Sequence, residues 1–209
     1  MRKKEITLKA VAALKTMYPD AICSLSYTDA FELLIATRLS AQCTDARVNM
    51  VTPALFKKCG TPKKMAKADI KDIEELIKSC GLYKTKAKDL KGIAERICDT
   101  FDGKVPDNMD DLTSLPGVGR KTANLVMGDV YKKPAVVCDT HFIRLCNRLR
   151  LVDTKDPLKV EKIMRGLLPD EESSDFCHRA VLFGRDICTA RRTYCDKCKL
   201  NDFCPSAEK

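Results

Sequence analysis

Leu115-Pro116-Gly117-Val118-Gly119-Arg120-Lys121-Thr122-Ala123 lies between two stretches of helical periodicity, Asp110 to Ser114 before it and Arg120 to Val130 after it. Pro116 fixes the entry to a tight turn, and the two glycines permit backbone conformations closed to other residues. The stretch reads as a turn between two helices. Uncovered amides at the start of the second helix, reinforced by the partial positive charge of that end, form a site where a phosphate can be held without base readout. A bare Gly-x-Gly also fits an ordinary helix-helix turn.

Lys121 falls in the first turn of the second helix, where the helix dipole and Arg120 both disfavour an ammonium. A neutral lysine amine is a nucleophile toward carbonyl-like or oxocarbenium carbon and gives a Schiff base; the simpler role is a phosphate contact. Further on, Val136-Val137-Cys138-Asp139-Thr140-His141 leads into a helix with Phe142, Leu145, Leu149 and Val152 on one face. Asp139 is placed as its N-cap.

Outward from the hairpin, apolar residues recur at helical spacing: Phe31, Leu34, Ile35 and Leu39, then Ile70, Ile73 and Ile77, then Leu90, Ile93, Ala94, Ile97 and Phe101. No sustained period-two alternation and no Asn-Gly hairpin signal interrupts them, so the expected fold class is all-α. Asp29 with Glu32 makes a capping-box start, and Gly81 and Gly103 mark stops. Phe31 to Ala36 is apolar around most of its circumference, which predicts a central helix. Lys84, Lys86, Lys88 and Lys91 read as the solvated face of the following helix.

Near the end of the chain, Cys188, Cys195, Cys198 and Cys204 are separated by six, two and five residues. Thiols this dense imply a bound metal. The first residues lead directly into an amphipathic segment with no apolar signal core, which argues for a reducing intracellular compartment and against disulfides. Structural zinc usually takes two closely spaced pairs; only Cys195 and Cys198 are close here, so the spacing favours an iron-sulfur cluster and leaves zinc open. The other eight cysteines, Cys23, Cys43, Cys59, Cys80, Cys98, Cys138, Cys146 and Cys177, lack ligand spacing and read as mostly buried small hydrophobes.

The 209 residues suffice for one large or two small domains, and 38 Lys+Arg against 29 Asp+Glu give a formal charge of +9. That excess fits a polyanionic partner, although many soluble proteins are as basic, so placement of the charge decides. No apolar run approaches the roughly 20 residues that span a bilayer. A soluble protein of the cytoplasm or nucleoid, with no membrane partner, is expected.

Taken together, Leu115 to Ala123, Val137-Cys138-Asp139-Thr140-His141, Leu39-Ser40-Ala41-Gln42, Gly81-Leu82-Tyr83 and the four-cysteine tail occur in the order seen in one family. The chain resembles the endonuclease III family of helix-hairpin-helix DNA glycosylases over almost its whole length. The resemblance implies two helical lobes flanking a DNA-binding cleft: a six-helix barrel over 22–133 carrying the hairpin, and a second domain of 1–21 plus 134–209. It also implies a 4Fe-4S cluster on Cys188, Cys195, Cys198 and Cys204.

Carried over by position, Lys121 becomes the nucleophile and Asp139 the essential carboxylate of a bifunctional glycosylase and abasic-site lyase. The implied partner of this monomer is double-stranded DNA bearing an oxidised pyrimidine or an abasic site. The base is flipped out, Lys121 attacks C1′, and β-elimination cuts the strand 3′ to the lesion. Gln42 and Leu82 correspond to residues that fill the space left by the flipped nucleotide. Gly117 and Gly119 are expected to approach the DNA backbone. Arg191 and Arg192, in a loop pinned at both ends by the cluster, are expected on phosphates.

A mismatch adenine glycosylase shares the hairpin, the aspartate and the cluster but generally lacks the Schiff-base lysine, so Lys121 argues against it. A DNA-binding redox module, with Lys121 as a phosphate contact only, is the non-enzymatic alternative.

Overall fold

Asp29, Thr44, Thr61, Asp69, Asn108, Asp139 and Asp156 each set a side-chain oxygen on a backbone amide of the turn that comes after it. Such caps satisfy amides that the first helical turn leaves without partners. They mark most helix starts in the computed structural model, which describes residues 2–207. Met1, Glu208 and Lys209, at the ends of the expected second domain, lie outside the described residues.

Among the described residues the α-helices are α1 (Lys3–Met17), α2 (Ala30–Ser40), α3 (Asp45–Cys59), α4 (Pro62–Lys67), α5 (Ile70–Ile77), α6 (Tyr83–Thr100), α7 (Met109–Thr113), α8 (Arg120–Asp129), α9 (Thr140–Arg148), α10 (Pro157–Arg165) and α11 (Ser173–Asp186). There is no β-strand among them, and the all-α expectation holds. The chain divides into two compact units, residues 23–131 and residues 1–22 with 132–209.

In the unit of residues 23–131, α2 is the buried centre. Phe31, Leu33, Leu34, Ile35, Ala36 and Leu39 are each at most 3 % exposed, and α2 packs against α3, α6 and α8. Burying each large apolar side chain of this set contributes about 1.5–3 kcal/mol. Truncating one, as in Leu34→Ala, costs about 2–5 kcal/mol once the cavity is included. The helix starts at Asp29, whose Oδ1 accepts from Glu32 N at 2.9 Å, while Glu32 Oε2 reaches back to Thr28 N at 2.8 Å. This is a capping box displaced by one residue on its return arm. Gly81 and Gly103 lie past helical segments with φ of +67° and +75°, a backbone region that glycine enters without a Cβ penalty.

The lysine row of α6 departs from expectation. Lys84 and Lys88 are exposed, Lys91 donates to Ala68 O at 2.7 Å, and Lys86 is only 1 % exposed. Lys86 lies on the same helical face as Leu90, Ile93 and Ile97, which are all fully buried. Sequence pattern reads its charge as solvent-seeking, but the fold supplies buried acceptors.

In the other unit, α11 packs against α1 and α9. Phe142 of α9 meets Phe176 of α11 edge to face, with ring centroids 6.0 Å apart. Glu172, in the turn before α11, pairs with Lys15 of α1 and with Arg179, which is itself 3 % exposed and also pairs with Asp175 at 2.9 Å. Of the eight cysteines expected in the core, Cys59, Cys80, Cys146 and Cys177 are buried, whereas Cys23, Cys43, Cys98 and Cys138 are partly exposed.

Candidate functional site

The hairpin begins with α7, whose cap is Asn108 Oδ1 accepting from Asp111 N at 3.0 Å. Leu115 and Val118, at 2 % and 6 % exposure, anchor the turn in the core and are joined by Val118 N donating to Leu115 O at 3.1 Å. Between them Pro116 and Gly117 are exposed. Gly117 has φ of +67°, and a Cβ there would stand 2.7 Å from Arg38 Nε and 3.1 Å from Asp89 Oδ2. Beneath the turn, Arg38 of α2 and Asp89 of α6 form an ion pair, with Nε to Oδ2 at 2.9 Å. Sequence reading missed this support because the two residues are 51 positions apart.

Gly119 is the N-cap of α8. It offers no side chain, and a Cβ built on it would meet nothing within 4 Å. The first amide to bond back within this helix is that of Ala123, to Gly119 O at 3.0 Å. The start of α8 therefore presents main-chain donors and the positive end of the helix beside open space, the chemistry that suits a phosphate. Lys121 is the second residue of α8 and is exposed, while Ala123, Asn124, Leu125 and Val126 turn inward.

The two remaining expected contacts of this unit lie at helix ends. Gln42 comes after α2 and is exposed with φ of +55°; Leu82 precedes α6 with φ of +46° and is 62 % exposed. Left-handed backbone at a residue as bulky as leucine is an outlier.

In the other unit, Asp139 lies just past the buried run Ala135-Val136-Val137. Ala135 N donates to Ser173 Oγ at 3.1 Å and Val137 N to Cys177 Sγ at 3.3 Å, which pins the run to α11. Asp139 Oδ1 then accepts from Phe142 N at 2.7 Å and caps α9. The cap uses one carboxylate oxygen. Burial, with help from Glu161 and Asp139, pushes the neighbouring Cys138 thiol up to about 12, so it stays protonated and is a poor nucleophile.

Cys188, Cys195, Cys198 and Cys204 all line one cavity of about 30 Å³, whose wall also includes Leu145, Leu149, Phe183, Ile187 and Leu200. Burial pushes Cys198 up to about 11, and the other three cysteines add to the shift. In the same wall Thr193 Oγ1 is buried without a hydrogen-bond partner. No three His, Cys, Asp or Glu side chains among the described residues gather closely enough to hold a single metal ion. Four thiols lining one apolar wall are the donor set that an iron-sulfur cluster takes.

Two arginines of α9 that the sequence did not single out brace this loop. Arg148 Nη1 donates to Cys188 O at 3.0 Å, Cys188 Sγ at 3.0 Å and Thr189 O at 2.8 Å. Arg144 reaches Cys188 O at 3.1 Å through Nε and Gly184 O at 2.8 Å through Nη2. Its Nη2 also lies 3.1 Å from His141 Nδ1; since a guanidinium only donates, Nδ1 is the acceptor there. A bridge between Cys188 and Thr193 closes the loop, leaving Arg191 and Arg192 exposed at its tip, with the Arg192 guanidinium 5.0 Å from the centre of the Tyr194 ring.

Residues 35–170 match the HhH-GPD superfamily of base excision DNA repair proteins. Over 207 residues the chain is 44 % identical to Endonuclease III of Synechocystis sp., covering 99 % of this chain and 94 % of that one. Among solved structures, a non-covalent Endonuclease III–DNA complex superposes with a TM-score of 0.90 at 40 % identity, covering 99 % of this chain and 97 % of that chain. A trapped Endonuclease III–DNA covalent intermediate matches with the same score, identity and coverage. No helix among the described residues is long and apolar enough to cross a membrane.

Proposed function

This chain belongs to the endonuclease III family, within the HhH-GPD superfamily of base excision DNA repair proteins, and we infer that it is a bifunctional DNA glycosylase and abasic-site lyase. Its substrate is double-stranded DNA carrying an oxidised pyrimidine or an abasic site, and it acts as a monomer on DNA in the cytoplasm or nucleoid. The observation that carries this assignment is Lys121, exposed in the first turn of a helix whose N-terminus is open at Gly119.

In the proposed reaction the damaged nucleotide leaves the stack, because C1′ is out of reach within a duplex. The amine of Lys121 attacks C1′ and the glycosidic bond breaks, the base departing with its electron pair and taking up a proton. Asp139 stabilises the positive charge that develops on the sugar and takes part in moving the lysine proton, using the carboxylate oxygen not committed to the helix cap. The C1′–O4′ bond of the sugar then opens, O4′ taking up a proton as the amine nitrogen gives one up, and the Schiff base so formed acidifies the C2′ proton. Loss of that proton expels the 3′ phosphate as leaving group, and hydrolysis then frees Lys121 and leaves an unsaturated aldehyde on the cut strand.

Gln42 and Leu82 fill the space vacated in the duplex, the amide pairing with the orphan base and the leucine replacing lost stacking. Gly117 and Gly119 let the backbone of the hairpin approach a phosphate, and Arg191 and Arg192 contact others. Cys188, Cys195, Cys198 and Cys204 would hold a 4Fe-4S cluster, which when bound supplies rigidity to the loop between them and no step of base removal.

Borohydride reduction on duplexes bearing thymine glycol or an abasic site tests the assignment. A covalent adduct with the wild type, absent in Lys121→Ala while DNA binding persists, is the expected result. Scission by Lys121→Ala at the wild-type rate would remove the lysine from the mechanism. A wild type that binds DNA without adduct or scission would favour a DNA-binding redox module.

A further inference from the structure

Lys86 is among the largest fully buried side chains of the protein, and its partners are two main-chain carbonyls rather than a carboxylate. Nζ donates to Leu39 O and to Cys80 O, each at 2.8 Å. Leu39 is in the last turn of α2, and Cys80 ends the short 3₁₀ turn Lys78–Cys80. Carbonyls at helix C-termini lack intrahelical donors and carry the negative end of the dipole, so one cationic donor serves both. Burial pushes the Lys86 ammonium below its ordinary value; the protonated and neutral forms alike carry enough hydrogens for two carbonyls.

Each of these carbonyls stands just ahead of a residue held in left-handed backbone. Three residues after Leu39 comes Gln42, and two residues after Cys80 comes Leu82; both are exposed non-glycine residues with φ of +55° and +46°. Such backbone persists only where its surroundings over-determine it. Lys86 N also donates to Leu82 O at 3.0 Å as the main-chain bond that opens α6, so the main chain of this residue meets Leu82 while its side chain joins Cys80 to the end of α2.

We propose that Lys86 is a positioning residue that ties the Gln42 turn to the Gly81-Leu82 turn, so that both side chains enter the space of one extruded nucleotide in register. The proposal rests on the insertion role given to Gln42 and Leu82 above. An apolar residue at 86 would fill the same volume but leave Leu39 O and Cys80 O without their shared donor, freeing the two turns to move independently.

Lys86→Met, which keeps the length of the stem and removes the donors, separates positioning from folding. Two rates are compared: excision of thymine glycol from a duplex, which needs extrusion and filling, and borohydride trapping on an abasic site in single-stranded DNA, which does not. Loss of about 10²-fold on the duplex with trapping on the single strand retained is the expected result. Equal loss on both substrates, or no loss on the duplex, overturns the proposal. If Lys86→Met fails to fold by circular dichroism, Lys86→Gln is judged by the same two rates. A Gln42→Ala, Leu82→Ala double variant is run beside it. Wild-type excision by that double variant would defeat the insertion role and this proposal together, whereas impairment there with none in Lys86→Met would defeat this proposal alone.

Discussion

Gly117 lies directly against Arg38: a methyl group at 117 would stand 2.7 Å from Nε, a nitrogen already held by Asp89 Oδ2 at 2.9 Å. The backbone there has φ of +67°, so the position excludes a side chain twice, by conformation and by space. Gly119, two residues on, has φ of −98° and open space where a Cβ would be. Gly117→Ala is therefore expected to cost about 1–3 kcal/mol of stability, from left-handed backbone strain and displacement of the ion pair. Gly119→Ala is expected to leave the urea midpoint nearly unchanged yet weaken binding to an abasic duplex, since its methyl occupies the approach to the amides of α8. Equal urea midpoints for the two variants would contradict this account of the hairpin.

Asp139 has a structural duty in the cap and a proposed chemical one, and Asn separates them. Asparagine caps helices about as well as aspartate, so Asp139→Asn is expected to unfold within about 0.5 kcal/mol of the wild type. Base excision is expected to fall by about 10²-fold or more, the usual worth of a positioned acid-base or electrostatic group. Single-turnover excision alongside a denaturant curve checks both halves. Full activity in Asp139→Asn would leave the carboxylate as a cap only.

Glu172 sets part of the acid limit of the fold. Burial would by itself raise this carboxyl, but hydrogen bonds from Lys15 and Arg179 outweigh it and hold the group below its ordinary value. A carboxylate lowered in the folded state contributes stability that is complete above its unfolded pKa of about 4.3 and lost as pH falls through the folded value. Glu172→Gln is expected to be less stable than the wild type by about 1–3 kcal/mol at neutral pH, with a shallower decline on acidification. Parallel stability curves for the two proteins from neutral pH to acid would rule out this contribution.

Arg192 is expected to meet a phosphate from the tip of the cysteine loop, where Tyr194 and the bridge between Cys188 and Thr193 limit its freedom. Removing one such contact lowers the slope of log K against log salt by about 0.9 for duplex DNA. Fluorescence anisotropy of Arg192→Ala over a salt series measures that slope directly. An unchanged slope would take Arg192 out of the interface.

Much of the fold was legible locally. The caps at Asp29 and Asp139, the glycine stops at 81 and 103 and the all-round apolar run of α2 depend on residues within a turn of one another, and helical periodicity declares them. The hairpin between α7 and α8 was equally plain, because proline and glycine restrict the backbone whatever surrounds them. The spacing of the four cysteines identified a group of thiols that the structure gathers around one cavity.

Charge was not legible in the same way. Lys86 looked like its neighbours Lys84 and Lys88, yet it is buried on carbonyls from two other segments. Arg38 and Asp89 meet beneath a glycine 28 positions from the nearer of them, and Arg148 reaches a cysteine 40 positions away. Sequence determined where the chain turns and which faces are apolar, since both arise from short-range sterics and the hydrophobic period. Only the tertiary structure decided which polar groups hold those turns in place: a long charged side chain bonds whatever acceptor packing brings within about 3 Å, and that acceptor belongs to another part of the chain.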